Sequence, residues 1–308
     1  MLAFYCDHFV LPLPDGHRFP MIKYRRLRER VTTELPTVRS AVPEAATDDA
    51  LIRVHDADYV RRVVDGSLER ADVRRIGFPW SPALVERSRR SVGGTVAACR
   101  AALTDGVAVN LAGGTHHAFA DRGGGFCVFN DAAVASRAMQ ADHGVSRVLI
   151  VDLDVHQGDG TAAIFAEDPS VFTLSLHGRR NYPFRKQTSD LDVPLDDGTD
   201  DRAYLDALDA ALDRALPVAG PDLVIYLAGA DPYVGDRLGK LAVTAEGLAE
   251  RDRRVFARCR REGVPVAVVM AGGYAPDVEA IVSIHTETVR QAAALWTRAT
   301  LAQAAGSD

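Results

Sequence analysis

Val148-Leu149-Ile150-Val151-Asp152-Leu153-Asp154-Val155-His156-Gln157-Gly158-Asp159-Gly160-Thr161 decides how this chain is read. Its first four residues are branched and apolar, as in a strand covered on both faces. Polar chemistry then begins abruptly with Asp152, Asp154, His156 and Asp159, broken by Gly158 and Gly160. A buried carboxylate is costly unless it is paired or holds a metal. Asp154 and His156 are two apart, so an extended backbone turns both to one face. Oxygen and nitrogen donors converging from one face suit a borderline ion such as Zn²⁺. Asp152 shares that face and is placed to orient a histidine. A helix start would account for Asp159 and Thr161, but not for Asp-x-Asp-x-His behind a core strand.

Outward from this stretch, strands alternate with helices. Residues 2–6, 107–111, 170–177, 222–227 and 265–270 read as further strands, and 51–54 as a short one. Helices are predicted at about 21–30, 59–64, 82–103, 130–140, 161–166, 201–219, 244–261 and 277–298. Ser81 caps the third of these, with Pro82 at its first position. Residues 38–50 read as a connector, 77–82 as a loop with two exposed aromatics, and the tail after Ala302 as frayed. His8 and His17 fall in a turn-rich loop and read as hydrogen-bonded or surface histidines. Residues 178–200 form a long loop carrying Tyr182 and Phe184, and loops of that length inside a domain are usually functional. The alternation predicts an α/β layer fold with a mostly parallel sheet. No composition break, repeat or linker divides it, so residues 1–308 read as one domain.

Bulk properties narrow the function. With 47% hydrophobic and 25% charged residues, the composition is that of a soluble globular protein. A net charge of -6 argues against nucleic acid as a partner. The arginine-rich runs at 25–28 and 87–90 have helical spacing and read as solvated helix faces. Four cysteines without a C-x-x-C pair argue against a disulfide framework or zinc knot and suit a reducing compartment. No secretory pattern or membrane-length apolar run is present, so the expected location is cytoplasmic, without a membrane partner.

In a parallel sheet, ligands bind beyond the carboxyl ends of the strands. Four strands here end in small residues followed at once by polar ones. They carry His116-His117, then Asp152, Asp154 and His156, then Asp231, then Gly272-Gly273-Tyr274. Each has an ordinary explanation alone, such as a loop histidine or a turn aspartate. Four together on one edge predict a site. Asp154, His156 and Asp231 would leave open positions on a catalytic ion. One of His116 and His117 would serve as general base. Asp152 and Asp159 would hold the two imidazoles in one tautomer. Tyr274 would donate to a developing oxyanion. These parts describe metal-assisted amide hydrolysis.

The motifs together resemble the histone deacetylase superfamily. They are Gly114-Thr115-His116-His117-Ala118, Gly125-Phe126-Cys127-Val128-Phe129-Asn130-Asp131, Asp152 to Thr161, Ser175-Leu176-His177, Ala230-Asp231 and Gly272-Gly273-Tyr274. The resemblance runs from His17 to Tyr274 and implies the three-layer α/β/α arginase/deacetylase fold. It implies a catalytic Zn²⁺ on Asp154, His156 and Asp231. It assigns His117 as general base and acid, His116 as electrostatic helper, and Tyr274 as oxyanion donor. Gly125 would offer its carbonyl to the substrate amide, and Phe126 would wall an acyl-lysine tunnel opposite Tyr182. A structural K⁺ would take Asp152, Asp154, His156, Ser175 and Leu176, and a second cation would lie near Phe165, Asp168 and Val171. The tyrosine motif, Ala271-Gly272-Gly273-Tyr274, lacks a third glycine. The compact N-terminal part resembles the class IV branch and its bacterial relatives. The implied substrate is an acylated lysine in a peptide or protein. Long-chain acyl-lysine and acetylpolyamines or other small N-acyl amines are alternatives. Two rival readings are a two-manganese ureohydrolase and a catalytically silent acyl-lysine-binding protein.

Overall fold

The computed structural model describes residues 1–14 and 16–305, the side chains of 295–305 excepted. In chain order the elements are β1 (Leu2–Phe4), α1 (Ile22–Glu34), β2 (Arg39–Ala41), α2 (Asp48–Leu51), α3 (Ala57–Asp65), α4 (Arg70–Ile76), α5 (Pro82–Asp105) and β3 (Val107–Asn110). There follow α6 (Asp131–Asp142), β4 (Val148–Asp152), α7 (Asp159–Ile164), β5 (Val171–Gly178), β6 (Leu191–Leu195), α8 (Asp201–Ala219), β7 (Leu223–Leu227), α9 (Ala245–Arg261), β8 (Val266–Val269) and α10 (Val278–Ala305). The strands form one sheet in the order β2-β1-β3-β8-β7-β4-β5-β6, with every pairing parallel.

Period-two patterning divides the central strands between two cores. Val148 and Ile150 of β4, with Leu223, Ile225 and Leu227 of β7, pack under α5 and α6. Leu149, Val151, Val224 and Tyr226 pack on the other face, under α1, α8, α9 and α10. Two helical layers therefore sandwich the sheet, which is the three-layer α/β/α arrangement.

The structure departs from the sequence reading where local signals were weak or competing. Residues 51–54 are not a strand. The Thr47 side chain accepts from Ala50 N at 3.2 Å and starts α2, so a cap outweighs a short apolar run. β2 lies in the expected connector and β6 in the expected long loop. Both are edge strands, and Pro194 is tolerated in β6 because an edge leaves one side unpaired. Helix α4 was not foreseen. Phe78 is buried and Trp80 half-buried, with Trp80 Nε1 donating to Val63 O at 2.8 Å. Arg87 is no solvated side chain: it is buried, its guanidinium 4.4 Å from the Tyr24 ring centre. Helix α10 runs to Ala305, and the rest of the tail expected to fray lies outside the described residues.

Candidate metal centre

The site begins with how the Asp-x-Asp-x-His stretch folds on itself. Beyond β4, Leu153 and Val155 stay in the core under α8–α10, which leaves Asp152, Asp154 and His156 on the opposite side. Asp152 Oδ1 accepts from Asp154 N at 3.1 Å, and Asp154 Oδ1 accepts from His156 N at 2.9 Å. Each carboxylate thus bonds the amide two residues on, the local habit of aspartate. Asp231, two residues past Gly229 at the end of β7, is held by Val155 N, which donates to its Oδ1 at 2.9 Å.

His156 Nδ1 lies 2.9 Å from Asp154 Oδ1 and 3.3 Å from Asp231 Oδ2. Ligand atoms of all three residues lie within 4.8 Å of one another, and all three are buried. Asp231 Oδ2 has no hydrogen-bond partner, although Asp231 is fully buried. An orphaned carboxylate oxygen is costly, and a cation is its natural counterpart. A tetrahedron with arms of about 2.05 Å has edges of about 3.3 Å, so the spacing suits zinc. Gly272 closes this cluster: its N donates to Asp154 Oδ2 at 2.8 Å, and a Cβ there would stand 1.9 Å from Asp231 Oδ2. Only glycine lets the chain after β8 approach so closely.

The two histidines hang from the first turn of α6. Asp131 is fully buried and accepts from Gly114 N at 3.0 Å and Thr115 N at 2.7 Å. His116 Nδ1 sits 2.6 Å from Asp152 Oδ2, and His117 Nδ1 2.6 Å from Asp159 Oδ1. A carboxylate on Nδ1 keeps the proton there and leaves Nε2 for chemistry. Their environments then separate them. Burial opposes the charge on His116, but Asp152 and Asp154 outweigh it and push it up to about 9. Burial, then the charge of His116, brings His117 down to about 4. The two imidazoles, with ring centres 4.1 Å apart, are thus pushed in opposite directions. Pairs split in this way mark acid–base sites.

Tyr274 completes the edge. Its N donates to Asp236 Oδ2 at 2.6 Å, and Asp236 Oδ1 accepts from Leu238 N and Gly239 N at 2.7 and 2.9 Å. Its ring centre lies 6.3 Å from that of His156. Burial, then Asp154 and Asp231, raise its phenol well above the ordinary value, so it stays a donor. Phe126 holds a left-handed backbone, φ 67°, pinned by its N donating to Ile76 O at 2.7 Å. Such a conformation in a bulky residue costs energy and marks a constrained position. Gly125, Phe126, Tyr182 and Tyr274 all line one mouth, which leads to His117 and His156. The Tyr182 ring meets the His117 ring edge-on at 4.8 Å. Beneath lies a cavity of about 70 Å³ bounded in part by Tyr24, Arg87, Gly114 and Gly272.

The register places Asp152 level with Ser175, with Leu176 next along β5. Ser175 Oγ lies 3.0 Å from His177 Nδ1. Around the second expected cation position, Asp168 already bonds Arg137 at 2.5 Å and Ser170. His17 does not reach the metal cluster; its Nε2 donates to Gly77 O at 3.0 Å. The sequence reading missed Asp236, Lys23 and Arg251. Asp236 carried a signal, an Asp-x-x-Gly turn just past Asp231. Lys23 is buried, donates to Gly273 O at 3.2 Å and stands 5.3 Å from the Tyr274 ring centre. Arg251 is buried in α9, and its Nη1 donates to Gly229 O at 2.6 Å, bracing the turn that carries Asp231. Nothing in helical spacing separates these two from surface cations.

Comparison with known proteins follows the same outline. The histone deacetylase domain family matches residues 17–289. An uncharacterized protein of Picosynechococcus sp. is 47% identical over 92% of this chain and 95% of its own. Histone deacetylase 2 of Arabidopsis thaliana is 36% identical over 68% of this chain and 55% of its own. The crystal structure of the HDA15 HD domain superposes with a TM-score of 0.79 at 24% identity, covering 94% of this chain and 90% of that one, a likeness of fold. With most of its length matched, and with the histidine pair and the Asp-x-Asp-x-His stretch inside that match, the chain belongs to the histone deacetylase family.

Proposed function

We propose that the protein is a zinc-dependent deacylase that hydrolyses the amide of an acylated lysine or a related N-acyl amine. The observation that carries this reading is a three-donor cluster with an orphaned Asp231 oxygen, beside two histidines anchored on Asp152 and Asp159. Asp154, His156 and Asp231 would hold the ion. When bound, it supplies Lewis-acid polarisation of the amide carbonyl and a more acidic water. His117, neutral and anchored on Asp159, takes a proton at Nε2 and returns it to the leaving amine. His116, charged and anchored on Asp152, offsets the negative charge that develops nearby. The Tyr274 phenol donates to the developing oxyanion. Gly125 and Phe126 wall the approach with Tyr182. K⁺ at Asp152, Ser175 and Leu176 is part of the same proposal, with a structural role. Among the described residues one three-donor cluster is found, which supports a single catalytic ion over a two-manganese ureohydrolase.

The test is turnover of acyl-lysine peptides of increasing acyl length, and of acetylpolyamines, by zinc-loaded protein. The His117→Ala variant is expected to lose on the order of 10²–10⁴ in kcat while keeping its metal content. Loss of the metal with activity retained would contradict the assigned roles. Failure to cleave any N-acyl amine would contradict the function.

A further inference from the structure

The mouth above the site has a charge opposite to that of the whole protein. Its volume is about 450 Å³, and five cationic residues line it: Arg18, Arg74, Arg75, Arg180 and Lys240. All five are exposed, and no Asp or Glu lines the mouth with them. Two carboxylates stand behind the ring: Asp72 bonds Arg75 at 2.9 Å, and Asp197 lies 3.8 Å from Arg180. Lys240 donates to the backbone of Arg180 at 3.2 Å. Among the described residues, Arg18 and Arg74 have no carboxylate partner. The net charge of the chain is -6, so this ring runs against the general field. Phe184, 88% exposed, stands on the same rim.

Resting on the deacylase reading above, we infer that the substrate is an acyl-lysine flanked by acidic residues. A ring of exposed cations at the entrance, two of them without a carboxylate partner, draws carboxylates and repels lysine and arginine. Such charges act over about 8 Å at physiological salt, which covers the residues on either side of an inserted lysine. Phe184 offers an apolar surface for a neighbouring side chain. Peptides rich in lysine and arginine, attracted by the negative bulk of the protein, are turned away at its entrance.

The test uses four fluorescent peptides on the zinc-loaded full chain: three with one acyl-lysine and flanks of Asp/Glu, Ser/Gly or Lys/Arg, and an acidic one with unmodified lysine. Binding by anisotropy and turnover are both measured, at low and high salt. The acidic peptide is expected to bind about tenfold more tightly than the basic one at low salt, a gap that closes as salt rises. The Arg18→Glu/Arg74→Glu variant is expected to bring that binding ratio to one or below. Taking the ratio within each protein cancels any general loss of activity, and both residues are exposed, so folding is not at stake. Equal or reversed affinities in the unaltered protein would overturn the inference. So would equal binding of an acidic peptide that has unmodified lysine, which would mark a general polyanion surface. Turnover of none of the peptides would contradict the deacylase reading separately, since the binding ratio is read without catalysis.

Discussion

His55 is neutral in the folded chain, and that ties stability to pH. Its Nδ1 donates to Phe119 O at 2.9 Å, and its Nε2 accepts from Asn130 N at 3.0 Å. A second ring proton would break the bond from Asn130, which also caps α6 and braces Ala118 at 3.1 Å. Burial, against the Phe119 and Ala120 carbonyls, lowers His55 from 6.5 to about 4. The folded form thus favours the neutral ring. Its contribution is full above about pH 6.5 and is lost as pH falls toward 4. The loss is on the order of 3 kcal/mol. Denaturant unfolding of the native protein and of His55→Gln across that range checks this. The variant is expected to be less stable near neutrality and to have a shallower slope with pH. Equal slopes would contradict the assignment. His55 shows the limit of residue-level reading, because a histidine before a helix gives no sign of which carbonyl it will meet.

At the scale of elements, α9 holds the end of β7 in place through a buried charge. Arg251 Nε donates to Asp252 Oδ1 at 2.8 Å, and its Nη1 reaches Gly229 O at 2.6 Å. The Asp252 carboxylate also accepts from Tyr226 of β7 and Thr288 of α10. Three elements therefore share one buried ion pair beneath the turn that positions Asp231. Removing one partner strands the other charge, which typically costs about 3–5 kcal/mol. Arg251→Ala is expected to lose stability of that order in chemical denaturation. Arg251→Lys is expected to recover only part of it, because one ammonium lacks the fork that reaches both Asp252 and Gly229. Full recovery by lysine would mean that charge alone matters. The amphipathic pattern of α9 was readable, yet it places arginine in solvent by default. Only the packing of α9 on β7 and α10 brings this one inside.

At the scale of the molecule, the sheet order gathers the chemistry. β3, β8, β7 and β4 are consecutive neighbours, and their carboxyl ends carry all four polar segments. Adjacent strands lie about 4.8 Å apart, close enough for Asp154 after β4 and Asp231 after β7 to share one ion. An ion bound there ties segments far apart in sequence, so it should stabilise the whole fold. At a zinc concentration about 100-fold over Kd, the gain is about 2.7 kcal/mol. Thermal unfolding of chelator-treated protein, with and without zinc, is expected to show the rise. Asp231→Asn is expected to show much less of it. An equal rise in that variant would place the stabilising ion elsewhere.

The sequence by itself determined the α/β alternation and the two-faced core strands, because these rest on periodicity; it also read Asp154 and His156 as sharing one side, although the backbone bends there after β4 ends at Asp152 instead of running on extended. It also held the motifs that mark the family. Tertiary structure alone decided the strand order, the edge strands β2 and β6, and the burial of Lys23, Arg87 and Arg251. The difference is one of range. Backbone pairing at an edge and the company of a buried charge depend on surfaces supplied by distant segments, and no local pattern encodes them.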